Sequence, residues 1–258
     1  MRELMLETVL LAAGLGLRCR DAWSGQTVQD GLRCTLRRKR DGIELARAAA
    51  SPSGVQHWPG LRAPWNAVPP PAQAEILVED EGERFLALRL DSPPLPDHHG
   101  AALASITLLS APQRAAPTGS AALVGLLIGV DGKAAAWARL RVTDAAGRQT
   151  EGMSDAAGRF ALHLPFPLPD RAAPGDPPSA TPGASVTLQV FHDAAVGLEA
   201  AGAAPLLHLW QAQAEVRALA NLGAPNVLGP LRVEPGRPVV PHTEGLPSNR
   251  SELRLAPL

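Results

Sequence analysis

The sequence predicts an all-β chain of two small antiparallel β-sandwich modules joined by Pro-rich loops. Three observations carry this. Apolar residues recur at every second position in several short segments. Pro and Gly are abundant, at 26 and 24 residues, and helix interiors reject both. The length of 258 residues suits two modest domains better than one large core. Apolar residues make up 45% of the chain, but there is no Tyr, so the cores should be aliphatic with few aromatic anchors.

The period-two segments are clearest in the second half. Ala138, Leu140 and Val142 alternate with Arg139, Arg141 and Thr143. Phe160, Leu162 and Leu164 alternate with Arg159, Ala161 and His163, and Val186, Leu188 and Val190 with Thr187 and Gln189. A strand puts successive side chains on opposite faces, so each segment has one buried and one wet face. In the first half, Leu86, Leu88 and Leu90 form such a run, preceded by Ile76, Val78 and the acidic turn Glu79–Glu83. That turn lacks the spaced oxygen ligands of a calcium loop and reads as a hairpin. A helix is expected only over Ala212–Leu222, with Gly223 as its stop, although a strand running into a short helix also fits there.

The segment Ser110–Gly119 is rich in Pro, Gly and small residues and sets the domain boundary. The N-terminal sandwich then covers 1–110, the linker 111–119 and the C-terminal sandwich 120–258. A long loop at 165–183, with many prolines, interrupts the second module.

Net charge is −1, which provides no field to attract nucleic acid or an anionic membrane. The one basic run, Arg37–Arg40, reads as a solvated strand end before the Asp41–Gly42 turn. The apolar stretch Leu4–Leu17 is too short to span a bilayer and is expected to be an N-terminal arm. Cytoplasmic or particle-associated placement is therefore expected ahead of secretion. Cys19 and Cys34 each lie at inward positions of alternating segments. Two free buried thiols are expected, with a bond as the alternative if the two strands pair as a hairpin.

No catalytic, cofactor or metal motif is present, so no catalytic residue, no cofactor and no metal ligand is assigned. His98 and His99 sit among Pro93, Pro94, Pro96 and Gly100, as in an exposed loop, and His192–Asp193 reads as a strand-end turn ahead of an acid–base pair. Trp23, Trp58, Trp65 and Trp137 are the candidate interface residues, since interface hot spots are enriched in Trp. Trp137, next to inward Ala138, is expected to face outward. The competing reading has each Trp lidding the open end of a core.

A pattern of strand, glycine turn, strand, glycine turn, strand occurs twice. The first copy runs from Leu17 through Gly25, Gly31 and Leu36 to Gly54 and Trp58, and the second from Val124 through Gly132 and Val142 to Asp155, Gly158 and Phe160. Gly25, Gly54, Gly132, Asp155 and Gly158 are its structural turn residues. Asp144-Ala-Ala-Gly-Arg148 and Asp155-Ala-Ala-Gly-Arg159 are the same five residues, predicting twin turns. The second copy resembles the carboxypeptidase regulatory-like domain, a transthyretin-like β-sandwich, at Gly132, Ala138, Leu140, Val142, Ser154, Asp155, Gly158 and Phe160. The first copy departs from it where Pro52 and Ser53 replace the Asp before the turn. The resemblance implies a non-catalytic accessory module. More loosely, Ser110–Arg114, Val124-Gly125, Ala136–Ala138, Gly152–Arg159 and Ser251–Pro257 are similar to proteins associated with bacterial phage-tail-like contractile injection systems. Together these readings imply a structural or adaptor protein with protein partners. A secreted carbohydrate- or ligand-binding sandwich is the alternative.

Overall fold

The computed structural model describes residues 15–59, 73–92, 102–165, 183–200, 204–223, 226–246 and 251–258. The chain forms two compact units. One comprises Met1–Leu108 with Ala204–His208, the other Leu109–Ala203 with Leu209–Leu258. The fold is all-β, as the alternating pattern predicts.

The first unit is a sandwich of two four-stranded sheets. One has the order β4 (Ala49–Ala50), β5 (Val55–His57), β1 (Leu15–Asp21), β8 (Ala102–Leu108); the other β3 (Glu44–Arg47), β2 (Leu32–Arg38), β6 (Ala74–Asp80), β7 (Leu88–Asp91). β1 runs antiparallel to β5 and parallel to β8, while β6 pairs antiparallel with β2 on one side and β7 on the other. The inward positions read directly from the sequence. Leu15, Leu17 and Cys19 of β1 meet Cys34 and Leu36 of β2, Ile76 and Val78 of β6, and Ile106 and Leu108 of β8 in one buried cluster. Each large side chain so buried contributes about 1.5–3 kcal/mol of hydrophobic stabilisation. Ala204–His208 belongs with this unit, rather than with the C-terminal sandwich that the single cut at the linker assigns it to. The reason is local: Arg89 of β7 donates its backbone N–H to Pro205 O at 2.9 Å and its Nε to Ala204 O at 2.5 Å.

The second unit is a nine-stranded sheet folded over on itself. One layer holds β11 (Gln149–Met153), β10 (Arg139–Asp144), β13 (Ala184–Phe191) and β15 (Leu231–Val233). The other holds β12 (Arg159–Pro165), β9 (Ser120–Ile128), β16 (Pro238–Val239) and β17 (Glu252–Ala256). β14 (Glu215–Ala218) pairs with β13 at one end and β17 at the other, which joins the layers. Leu140, Val142, Phe160, Leu162, Val186 and Leu188 fill the space between. Gly152 of β11 packs onto β12: a Cβ there would lie 2.7 Å from Leu162 Cδ1. Two short helices, α1 (Ala194–Ala200) and α2 (Leu207–Gln211), complete the elements.

Two sequence expectations are corrected, and the hairpin on which the alternative of a bond depended is absent among the described residues, where both thiols are free and buried as expected. Residues 212–222 are not a helix. The helix α2 ends at Gln211 and the chain then enters β14. Good helix formers such as Ala214, Glu215 and Arg217 lose to pairing, because β13 and β17 offer open edges on both sides. Cys19 and Cys34 do not lie on a hairpin pair, since β1 and β2 belong to different sheets. Trp137 does not face outward, as described below.

The segment Ser110–Gly119 is ordered by turns: Arg114 donates its backbone N–H to Ala111 O and its Nη1 to Ser110 Oγ, both at 3.0 Å. The expected loop at 165–183 lies mostly outside the described residues, as does the stretch before Leu15.

Candidate functional site

The twin turns have the same geometry. Asp144 Oδ1 accepts the backbone N–H groups of Ala146 and Arg148 at 2.9 Å each, and its Oδ2 accepts Arg148 Nε at 2.7 Å. Asp155 Oδ1 accepts Ala157 N–H at 2.8 Å and Arg159 N–H at 2.9 Å, and its Oδ2 accepts Arg159 Nε at 2.8 Å. The Gly in each turn takes the left-handed conformation, φ 78° at Gly147 and 77° at Gly158. Gly25, Gly54 and Gly132 are also at positive φ, at 67°, 79° and 78°. Gly158 is confined further, because a Cβ there would lie 2.6 Å from Leu127 O. Burial pushes the Asp144 carboxyl up, but the bonds from Arg148 and Ala146 outweigh it and hold it below the usual carboxylate range. These turns are closed scaffolding, with their charges spent on each other.

The acidic turn is closed in the same way. Asp80 Oδ2 accepts the Arg84 backbone N–H at 2.6 Å, and Oδ1 accepts Arg84 Nη2 at 2.8 Å. Desolvation raises the Asp80 carboxyl, and the Arg84 bonds more than offset it, leaving it below its ordinary value. In the basic run, Arg38 pairs with Asp41 at 3.0 Å and Lys39 with Asp91 at 2.6 Å, while Arg40 remains exposed. His192 follows β13, and Asp193 caps α1 by accepting Ala195 N–H at 2.9 Å. Burial pushes the His192 imidazole below its ordinary value, and Asp131 and Asp193 only partly offset that. Among the described residues, no three His, Cys, Asp or Glu side chains gather as metal ligands. His98 and His99 lie outside the described residues.

The tryptophans are redistributed. Trp58 has 0% exposure inside the first core, and Trp137 has 6%, so neither presents its ring to a partner. This corrects their assignment as interface residues. Trp137 misled the pattern because it takes φ 59°, a left-handed value rare for a bulky side chain. That twist breaks the alternation and lets Trp137 and Ala138 both turn inward. Around it, the buried Ser154 Oγ accepts Ala138 N–H at 2.8 Å and donates to Ala135 O at 2.7 Å, and Gln213 Nε2 donates to Trp137 O at 2.8 Å. Trp23 is half-buried, and Trp65 lies outside the described residues.

The feature that single-residue reading missed is a ledge on the wet face of β10, β11 and β13. Cross-strand register places Arg139 opposite Phe191 and Arg141 opposite Gln189 and Glu151. The Arg139 guanidinium lies 5.2 Å from the Phe191 ring centroid and 5.5 Å from that of Trp210. The Arg141 guanidinium lies 5.1 Å from the Phe191 ring centroid. Glu151 accepts both arginines: Nε and Nη2 of Arg139, the former at 3.1 Å, and Nη2 of Arg141 at 3.2 Å. Arg139 Nη1 also donates to Gln211 O at 2.9 Å. Cation–π contacts of this kind contribute about 0.5–2 kcal/mol. Two stacked, ion-paired arginines are thus fixed beside β11, which ends its sheet among the described residues. The signal was the Arg139/Arg141 alternation; its partners needed the register.

No protein-family model matches the chain, and neither does any curated protein sequence. Among solved structures, the shaft pilin SpaA of Lactobacillus rhamnosus GG is similar over 95% of this chain and 97% of its own, at 9% identity and a TM-score of 0.25. The minor pilin GBS52 of Streptococcus agalactiae is similar over 94% of this chain and 97% of its own, at 10% identity and a TM-score of 0.25. At that level of superposition the likeness carries no argument about function.

Proposed function

We propose that the chain is a non-catalytic structural or adaptor module whose second sandwich contacts a protein partner. The observation that carries this reading is the Arg139–Phe191–Trp210 stack with Arg141 and Glu151. Trp210 is buried at 3% exposure and backs Arg139 rather than meeting a partner; Arg is over-represented among residues that dominate interfaces, and an arginine already held in place loses little freedom on docking. The neighbouring edge of β11, terminal in its sheet among the described residues, adds a row of backbone donors and acceptors able to pair with an extended segment. Protein partners fit this surface, while the near-zero net charge argues against nucleic acid or an anionic membrane as the main one.

The finer reading is a component or assembly factor of a phage-tail-like contractile injection particle, cytoplasmic or particle-associated. The looser sequence similarity described above supports it. Affinity capture from the native host with the wild-type chain and with Arg141→Ala tests the proposal. We expect a particle protein bound by the wild type and at least tenfold weaker capture by the variant, with the variant still folded at the capture temperature. Equal capture by both, or a measurable turnover of a small substrate, overturns it.

A further inference from the structure

The first sandwich contains two thiols that its topology brings together. Cys19 lies inward on β1 and Cys34 lies inward on β2, so they come from opposite sheets. Their exposures are 0% and 1%, and both lie in the same buried cluster with Leu17, Leu36 and Ile76. Both are unbonded. No hairpin is needed, because the sandwich interior does what strand pairing would have done.

We propose that Cys19 and Cys34 are a disulfide site that ties the two sheets of the first sandwich together when the chain folds in the presence of a small-molecule disulfide oxidant. The geometry favours it in three ways. Both side chains are buried in one cluster between the two sheets, no other cysteine exists to compete, and the sequence separation of fifteen residues makes a closed loop of useful size. In the chain-entropy picture, a loop of that length raises the ratio of folded to unfolded chain about a hundredfold.

The chemistry balances. The Cys34 thiolate attacks one sulfur of the oxidant RSSR, forming a mixed disulfide and releasing RS⁻. The Cys19 thiolate then attacks the Cys34 sulfur, closing the protein disulfide and releasing the second RS⁻. Two protein thiols are oxidised by two electrons, RSSR is reduced to two RSH, and the thiol protons pass to the leaving thiolates. The Cys34 thiol and burial both push the Cys19 thiol far up, so the folded reduced chain holds almost no reactive thiolate there. Exchange therefore happens before the sheets close, and afterwards either state is sealed from solvent. The site thus records the redox condition under which the chain folded.

The test is to refold the full chain from denaturant in reduced glutathione alone, and in a glutathione mixture rich in the oxidised form. After oxidised refolding we expect a mass lower by two hydrogens and tryptic peptides Cys19–Arg20 and Cys34–Arg37 joined. The urea midpoint should rise in step with a roughly hundredfold gain in the folded-to-unfolded ratio, and lose that gain when reductant is present during unfolding. Oxidised refolding that returns a folded chain with two alkylatable thiols, or a mixed disulfide at one cysteine, overturns the proposal. So does a bonded chain that lacks the strand spectrum of the reduced one. Both arms use one sequence, so a variant's failure to fold cannot confuse the outcome.

Discussion

Asp155 holds Arg159 at two points, accepting its backbone N–H at 2.9 Å and its Nε at 2.8 Å. Asp144 holds Arg148 in the same way one turn earlier. Each pair locks the reversal between successive strands, so the carboxylate acts on the turn backbone more than on the charge. Asp155→Asn, which keeps the acceptor, should cost less than Asp155→Ala, which should lower stability by about 1 kcal/mol. Chemical denaturation of the three chains checks this. Equal losses would show that charge rather than backbone acceptance matters.

Two glycines of similar φ separate strain from crowding. Gly132 is at 78° with open space where a Cβ would go, and Gly158 is at 77° with Leu127 O in that place. Gly132→Ala should cost about 1–2 kcal/mol from the left-handed backbone alone. Gly158→Ala should cost clearly more, because backbone must move to admit the methyl. Thermal melts of the two variants give the comparison directly.

Stability should fall in two steps on acidification. The folded His192 imidazole titrates below its ordinary value of 6.5, with burial as the main cause and Asp131 and Asp193 the acidic groups opposing it. The unfolded chain therefore takes up that proton first. This contribution is complete above pH 6.5 and is lost as pH falls from there to the folded value. Asp80, held by Arg84, titrates below its ordinary 3.8, so its contribution is present above pH 3.8 and is lost as pH falls through the folded value. Urea midpoints measured across pH should lose the first step in His192→Gln, and the second should shrink in Asp80→Asn, with Asp144 supplying part of what remains.

Much of this fold was legible because burial on one face of a strand leaves a period of two. Leu140 and Val142, Phe160, Leu162 and Leu164, and Val186, Leu188 and Val190 all point into the core that their spacing predicts, but the face of β12 expected to be wet is not, since Ala161 and His163 are buried too. The twin turns were legible because Asp, Gly and Arg at fixed offsets act locally. What failed was what depends on partners distant in sequence or on one unusual dihedral. Trp137 breaks the alternation at φ 59°, and residues 215–218 take strand geometry because two edges recruit them. The candidate contact ledge was hidden for the same reason. Arg139 and Arg141 were visible as wet-face residues, but Phe191, Trp210 and Glu151 join them only through cross-strand register and the turn of α2.

The central claim, that the ledge of the second sandwich is a contact surface, is tested most directly by hydrogen exchange of the chain with its captured partner bound. The account predicts slower exchange across 149–153, the edge strand beside Arg139 and Arg141, with the far layer at 159–165 unchanged. Unaltered exchange at 149–153 in a stable complex, or protection confined to the first sandwich, would contradict it.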